Sequence, residues 1–133
     1  MLCIKGGRLV TPAGTFEKDL WIDGEKIVSG EKAGRTEVYD ASGCLVFPGF
    51  IDSHTHFEMD NGVTVTADDF PSGTAAALAG GTTCILDFAT QERGGTLSGA
   101  LDRWFRLAQG RSYCDFGFHM AVTDWNRSTR EEL

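Results

Sequence analysis

The sequence predicts an α/β fold in which a small β-sandwich-type segment precedes the start of a (β/α)8 TIM barrel. Residues 1–49 hold short apolar runs separated by glycine-containing turns, whereas residues 50–133 alternate apolar strands with helix-like segments. A complete barrel takes ~250 residues, so the second part would supply about three of eight strands. We therefore expect an N-terminal β segment, residues 1–49, that is part of a β-sandwich domain, and the first βα units of an incomplete barrel, residues 50–133.

The N-terminal segment is predicted to form short antiparallel strands. Gly6-Gly7 lies between the first two apolar runs, Asp23-Gly24 between the next two is a strong hairpin signal, and Ser42-Gly43 predicts a turn before the last. The segment is too short to close a good sandwich alone. The expected strands are 2–4, 8–10, 19–22, 26–28, 38–40 and 45–47.

The second part is predicted to form parallel strands joined by right-handed crossovers. Strands are expected at 50–56, 82–89 and 113–122, the middle one apolar enough for burial on both faces. One helix has Pro71 near its start and Gly80-Gly81 after its end. The other has apolar residues at helical spacing, namely Ala100, Leu101, Trp104, Phe105 and Ala108.

The end of the chain carries a helix signal. Ser128 followed by Glu131 is a capping box, with serine expected at the N-cap and glutamate at N3. Leu133 is the last residue of the sequence. We therefore expect the fold to be truncated after about three barrel strands.

Two histidines, His54 and His56, stand at the end of the first barrel strand. Side chains alternate along a strand, so both imidazoles should point to one side and make half of a metal site. The alternative is a pair that caps the strand. Catalytic zinc takes about three protein ligands and a water. The third histidine, His119, lies in an apolar strand and is expected to be buried and hydrogen-bonded rather than a ligand.

Two aspartates have open roles. By alternation, Asp52 shares the face of the histidine pair, where it could support a ligand or place a charge beside it. A hydrogen bond in a turn or at the barrel bottom is an equal alternative. Asp87 is ambiguous in the same way.

Composition narrows the class of protein. The net charge is −7, and residues 51–92 contain seven acids and no Lys or Arg. A negative field suits a divalent cation and disfavours nucleic acid, although surface loops and helix N-termini would explain Asp68 and Asp69. No apolar run approaches a membrane span, and the start lacks a signal-peptide pattern, so we expect a cytoplasmic protein. The four cysteines have no metal-binding spacing and are expected to be reduced, in or near the core.

Five stretches of the sequence carry a resemblance to known proteins: PGFIDSHTH (48–56), TVTADDF (64–70), GGTT (80–83), LDF (86–88) and GFHMAVTDW (117–125). PGFIDSHTH resembles the strand-one metal motif of the amidohydrolase superfamily, and the other stretches narrow the resemblance to the dihydropyrimidinase/hydantoinase family. The resemblance covers essentially all of this chain, but only the first third or less of a typical member.

The resemblance implies a metal-dependent hydrolase that opens cyclic amide rings. Dihydropyrimidines or hydantoins would give N-carbamoyl amino acids, as in pyrimidine catabolism. It implies two Zn²⁺ ions per site in the full-length protein, with His54 and His56 on the more buried ion, and a homotetramer. The family's bridging carboxylated lysine, its further histidines and its aspartates belong to later segments. No catalytic residue is therefore expected within this chain. The loop after the pair departs from the family and is expected to line the substrate pocket through Met59, Asp60, Asn61, Gly62 and Val63.

Other functions compatible with the resemblance are allantoinase-like or dihydroorotase-like ring opening, or a non-catalytic scaffold related to dihydropyrimidinase. Retention of both histidines argues against the scaffold, which has no need of them. The chain alone is expected to be inactive. It is also expected to aggregate, because an unclosed barrel would expose the apolar faces of Ile85, Leu86, Phe116 and Phe118.

Overall fold

The computed structural model describes residues 1–30 and 34–133, which divide into two compact units, Met1–Pro48 and Gly49–Leu133. In the described part of the first unit, strands form a four-stranded sheet in the order β5-β4-β1-β6 and a three-stranded sheet in the order β3-β2-β7. The strands are β1 (Leu2–Lys5), β2 (Arg8–Thr11), β3 (Gly14–Glu17), β4 (Leu20–Asp23), β5 (Lys26–Val28), β6 (Glu37–Asp40) and β7 (Leu45–Val46).

The predicted hairpin at Asp23-Gly24 is confirmed. Strands β4 and β5 pair antiparallel with Asp23 opposite Lys26, and Gly24 has a φ of 61°, which glycine adopts readily. The expectation that the whole segment is antiparallel is wrong. Strand β6 pairs parallel with β1, and β7 pairs parallel with β2. The reason is that the chain segment containing β6 and β7 runs in the same direction as the segment containing β1 and β2, with β6 beside β1 and β7 beside β2. Strand β3 was not predicted.

Gly6-Gly7 does not close a hairpin, since β1 and β2 belong to different sheets. Gly6 has a φ of 74°, and its amide donates to Asp19 Oδ1 at 3.0 Å. A Cβ on Gly7 would lie 2.7 Å from Val46 Cγ2. The pair therefore lets the chain step from one sheet to the other at a point of close packing.

The second unit is an α/β arrangement with a parallel three-stranded sheet in the order β10-β9-β8. The predicted alternation of strands and helices and the parallel pairing are confirmed. No helix among the described residues is long and apolar enough to cross a membrane. The elements are β8 (Phe50–Thr55), α1 (Phe70–Ala79), β9 (Thr82–Thr90), α2 (Leu97–Ala108), β10 (Asp115–Ala121) and α3 (Arg127–Glu132).

The helices begin at polar caps. Asp69 caps α1 and forms a capping box with Ser72, with Pro71 in the first turn. The capping box expected at Ser128 is wrong, because α3 already begins at Arg127 and is capped by Asn126, whose Oδ1 accepts from the Thr129 amide at 3.0 Å. An asparagine side chain that reaches N3 replaces the predicted serine.

The hydrophobic core of this unit lies between the sheet and the helices. Ile85 and Ala89 of β9 pack there with Phe70, Trp104 and Ala108, and all five are buried. Ile85 is 0% exposed, and the side chains of Phe116 and Phe118 pack against the same core, so the expectation that these three would be left uncovered is wrong. Leu86, on the other face of β9, is half-buried. Helix packing covers one face of β9 fully, whereas its alternate residues on the other face are only half-buried.

All four cysteines are free. Cys3 is buried, and Cys84 and Cys114 are half-buried. Cys44 is exposed, so its expected place in or near the core is wrong. It lies beside the Ser42-Gly43 turn, where its carbonyl accepts from the Arg8 amide at 3.0 Å.

Candidate metal centre

The two histidines converge at the carboxyl end of β8. The Nε2 atoms of His54 and His56 lie 3.1 Å apart, so both imidazoles reach the same point, as the spacing predicted. An ion at ~2.0–2.1 Å from both atoms would subtend an angle of roughly 98°, close to what a tetrahedral zinc site requires. The pair thus has the geometry of two ligands of one ion.

The ring of Phe88 on β9 contacts all three histidines of the chain. Its centroid lies 4.5 Å from that of His54, 5.0 Å from that of His56 and 4.9 Å from that of His119. The strand register explains this, since Phe88 is paired with His119 on the sheet face that points away from the helices. The Phe88 ring therefore packs against all three imidazole rings.

His119 departs from the sequence-based expectation in one respect. Its side chain is exposed rather than buried. It is hydrogen-bonded, as expected, through Nε2 at 3.1 Å from the carbonyl oxygen of Ser53, which precedes His54. It lies beside Phe88 on the face of the sheet that points away from the helices.

Asp52 contacts the main chain rather than an imidazole. Its Oδ1 accepts from the His54 amide at 3.1 Å. The register pairs Asp52 with Ile85 and Thr55 with Asp87, so three steps along β8 span two steps along β9. This irregularity interrupts the alternation from which Asp52 was placed on the face of the pair.

Asp87 is 1% exposed and lies on the face of β9 that points to the helices. Its Oδ2 accepts from Thr55 Oγ1 at 3.1 Å and from the Phe57 amide at 2.8 Å. Its Oδ1 accepts from Trp104 Nε1 at 3.3 Å and from the Phe88 amide at 2.6 Å. The role left open by the sequence is therefore a buried hydrogen-bond centre beside the histidine pair.

His54 and His56 can occupy two ligand positions of a single metal ion. His56 Nδ1 is buried without a hydrogen-bond partner among the described residues, so this ring lacks the second contact that a metal-bound histidine usually makes. No group of three or more His, Cys, Asp or Glu side chains in residues 1–30 and 34–133 is placed to hold a metal ion. The described chain therefore offers a pair of ligands, short of the three that catalytic zinc takes.

The loop after the pair forms a small hairpin. Asp60 and Val65 form an antiparallel bridge, and Asn61 Oδ1 accepts from the amides of Val63 and Thr64 at 3.0 and 2.9 Å. Gly62 has a φ of 82° and Val63 is 94% exposed at the tip. Met59, Asp60 and Gly62 line a cavity of about 320 Å³ together with Thr90, Gln91, Glu92, Arg103 and Trp104. The predicted loop thus opens on the carboxyl end of β9.

Sequence reasoning missed the anchor of this loop. Glu58 has a φ of 50°, rare for a residue other than glycine, and both its carboxylate oxygens accept from Arg111 Nη1, at 3.1 and 2.9 Å. Arg111 also lies 3.7 Å from Asp69, the cap of α1. The Ser72 amide, which donates to Asp69, is the main reason that the pKa of Asp69 lies below its usual value of 3.8. The partners are 53 positions apart in the sequence, so no local signal could have found this pair.

A second missed centre is Gln91, at 2% exposure just after β9. Its Nε2 donates to Gly95 O at 2.9 Å and to Thr129 Oγ1 at 2.8 Å, and its Oε1 accepts from the amides of Thr123 and Asp124 at 3.2 and 3.1 Å. All polar groups of this amide are satisfied, so Gln91 joins the ends of β9 and β10 to α3.

Comparisons with known proteins show which family the chain resembles. Residues 45–131 match the amidohydrolase family. The D-hydantoinase of Geobacillus stearothermophilus is 46% identical over 133 residues, which are 98% of this chain and 28% of that protein. The dihydropyrimidinase of Rattus norvegicus is 38% identical over 140 residues, covering 99% of this chain and 27% of that protein.

Solved structures give the same result. The crystal structure of D-hydantoinase from Bacillus sp. AR9 superposes with a TM-score of 0.93 at 44% identity, over 99% of this chain and 29% of that one. The L-hydantoinase from Arthrobacter aurescens gives a TM-score of 0.65 at 29% identity, over 88% of this chain and 27% of that one. The chain therefore spans less than a third of the length of these relatives.

Proposed function

The chain belongs to the amidohydrolase family, whose members are generally metal-dependent, and from this premise we propose that it supplies the first two metal ligands of a cyclic-amide hydrolase. The observation that carries the proposal is the convergence of His54 and His56 at 3.1 Å, at the carboxyl end of a parallel strand. The relatives named D-hydantoinase and dihydropyrimidinase support the choice of substrate class. The substrates proposed are hydantoins and dihydropyrimidines, and the products N-carbamoyl amino acids.

The finer features of the proposal follow from the same relatives. We propose that the parallel sheet of the second unit is the start of a TIM barrel and that the first unit is part of a β-sandwich. The metal is proposed to be zinc, two ions per site, with the remaining ligands outside this chain. A homotetramer and a cytoplasmic location complete the proposal.

The chemistry assigned to this chain is the placement of ligands. When bound, the metal would polarise the amide carbonyl and lower the pKa of a water molecule. His54 and His56 would each offer the Nε2 lone pair, which requires that the ring proton lie on Nδ1. The Phe88 ring contacts both imidazoles. The loop residues Met59 to Val63 are proposed to meet the substituent of the ring substrate, although the cavity lined by Met59, Asp60 and Gly62 does not include the two histidines.

The proposal is tested by replacing each histidine of the pair in the full-length protein. His54→Ala and His56→Ala should each lower the zinc content measured by atomic emission and abolish the ring opening of dihydrouracil and of 5-substituted hydantoins, because each removes one ligand. Asp115→Asn is the matched control, since Asp115 is exposed and lies at the opposite end of the sheet.

Three results would contradict the proposal. If either histidine variant kept full zinc content and turnover, the pair would be a strand cap. If the unmodified protein opened only allantoin or dihydroorotate, the substrate class would be wrong. If it bound zinc but opened no ring, the scaffold function would replace the enzyme. The 133 residues alone should show no turnover even with excess zinc, because the described part offers two ligands where catalytic zinc takes about three.

A further inference from the structure

Asp87 accepts hydrogen bonds from the residues on both sides of His56. Its Oδ2 accepts from the Thr55 hydroxyl at 3.1 Å and from the Phe57 amide at 2.8 Å. These are the residues immediately before and after His56. One carboxylate oxygen therefore fixes the backbone through which His56 is presented.

The other oxygen ties the carboxylate to the body of the unit. Oδ1 accepts from Trp104 Nε1 of α2 at 3.3 Å and from the Phe88 amide at 2.6 Å. Trp104 is 4% exposed and belongs to the hydrophobic core. The position of Asp87 is therefore set mainly by β9, which supplies the short Phe88 contact, and the longer Trp104 contact is a lesser support. Asp87 in turn holds the end of β8.

The burial of the Asp87 carboxylate needs a physical explanation. A carboxylate that is 1% exposed is unfavourable unless hydrogen bonds replace its hydration, and four donors do so here. An apolar residue would fill the same place between Ile85 and Ala89 without that requirement. It would, however, leave the Trp104 indole and the Phe57 amide without this acceptor and would not tie the end of β8 to β9 and α2.

Asp87 is not placed to be a ligand itself. It lies on the helix-facing side of β9 together with Ile85 and Ala89. Both imidazoles contact Phe88, the next residue, whose side chain points to the other side. Two adjacent residues of β9 thus act from opposite faces: Phe88 contacts the imidazole rings, and Asp87 holds the backbone that carries one of them.

We propose that Asp87 is a positioning residue for His56, setting the direction of its Nε2 towards His54 through Thr55 and Phe57. This inference rests on the proposed function, since it assumes that the pair binds a metal. It predicts that breaking the contacts of Oδ2 weakens metal binding, whereas breaking a contact of Oδ1 mainly weakens the fold.

The test separates the two oxygens in the full-length protein. Thr55→Val removes the hydroxyl donor at nearly constant volume, and Thr55→Ser keeps it. Trp104→Phe removes a donor to Oδ1 only. Asp87→Asn removes the charge, and His56→Ala removes the ligand. Each protein is stripped of metal and titrated with Co²⁺, and its affinity and visible absorption spectrum are recorded together with the thermal midpoint of the apo form.

We expect Thr55→Val and Asp87→Asn to lower Co²⁺ affinity about tenfold or more and to change the visible spectrum, as the loss of a group that orients a ligand generally does. Thr55→Ser should retain the wild-type affinity and spectrum. Trp104→Phe should lower the thermal midpoint of the apo form while the affinity changes less than threefold. Should Asp87→Asn fail to fold, the comparison of Thr55→Val with Thr55→Ser decides the question.

Failure of the inference differs from failure of the proposed function. If His56→Ala loses Co²⁺ affinity while Thr55→Val keeps both affinity and spectrum, Asp87 does not position His56 and only the inference falls. If Trp104→Phe and Thr55→Val lower the affinity equally, the effect is general destabilisation and the inference also falls. If the unmodified protein and His56→Ala bind Co²⁺ alike, the histidine pair is not a metal site and both proposals fall.

Discussion

Replacing Gly73 by alanine should disturb both the core and the histidine pair. Gly73 is buried in α1, where a Cβ would lie 2.2 Å from Phe57 Cε1 and 2.6 Å from Phe57 Cζ. Phe57 directly follows His56, and its amide donates to Asp87. The perturbation therefore acts on the residue next to the candidate metal ligand.

The magnitude follows from the overlap. Non-bonded carbon atoms approach to ~3.5–4.0 Å, so the ring of Phe57 would have to move by more than ~1 Å. It packs edge-on against Phe70, which is 0% exposed, at a centroid distance of 5.5 Å, so there is little free space beside it. Overpacking costs about 1–3 kcal/mol, and alanine regains about 1 kcal/mol of helix propensity over glycine. Because an overlap of more than ~1 Å places the cost in the upper part of that range, about 2–3 kcal/mol, we expect a net loss of about 1–2 kcal/mol in the free energy of unfolding.

The assay is urea unfolding followed by tryptophan fluorescence, since Trp104 is buried in the affected core. Gly80→Ala is the control, because a Cβ there would meet no atom closer than 3.4 Å and Gly80 has an ordinary φ of −86°. Adding Phe57→Leu to Gly73→Ala should recover part of the loss. The reasoning would be refuted if Gly73→Ala were as stable as the unmodified protein, or if Phe57→Leu made the loss larger.

Two further predictions concern the loop that follows the histidine pair. The pKa of Asp69 is lowered, so its stabilising effect is complete above the unfolded value of about 3.8 and is lost as the pH falls through the lower folded value. Unfolding curves from pH 5 to pH 2 should show a smaller acid-induced loss in Asp69→Asn, which still caps α1 but does not titrate; equal losses would contradict this. Glu58→Gln should weaken the ion pair with Arg111 and raise proteolytic cleavage within residues 59–66, whereas exposed Glu131→Gln should not. Unchanged cleavage would show that the hairpin holds its own shape.

The strands and helices of the second unit were predicted well, because short patterns of neighbouring residues indicate each of them. The alternation of strand and helix, the Pro71 start of α1 and the spacing of the histidines are all read within a few residues. The irregularity between Asp52 and Thr55 was not predictable in this way, since it depends on how β8 fits beside β9. The same irregularity lies between Asp52 and the histidine pair, so alternation alone does not determine the contacts of Asp52.

The failures in the first unit and at the last helix have physical causes of two kinds. Parallel pairing of β6 with β1 joins segments about 35 positions apart, as in Leu2 opposite Glu37, and periodicity does not specify such partners. At α3 two polar residues compete as caps, and Asn126 prevails over Ser128 because its side chain reaches the Thr129 amide. Tertiary fit decides both outcomes.

The structure also changes the meaning of the acidic segment 51–92. Each of its seven carboxylates accepts a hydrogen bond from within the chain, so none is left wholly to attract an ion: Asp52, Glu58, Asp60, Asp68, Asp69, Asp87 and Glu92. Turns, caps and ion pairs thus account for the places of these acids, although the segment keeps its negative charge. No three such side chains among residues 1–30 and 34–133 are placed to hold a metal ion, so the choice of ion rests on the two imidazole nitrogens. Imidazole suits zinc, copper, iron and nickel, whereas magnesium and calcium prefer oxygen ligands. Because its donor atoms are imidazole nitrogens, the histidine pair favours a transition metal over magnesium or calcium. The negative charge of the segment is not the reason for this preference.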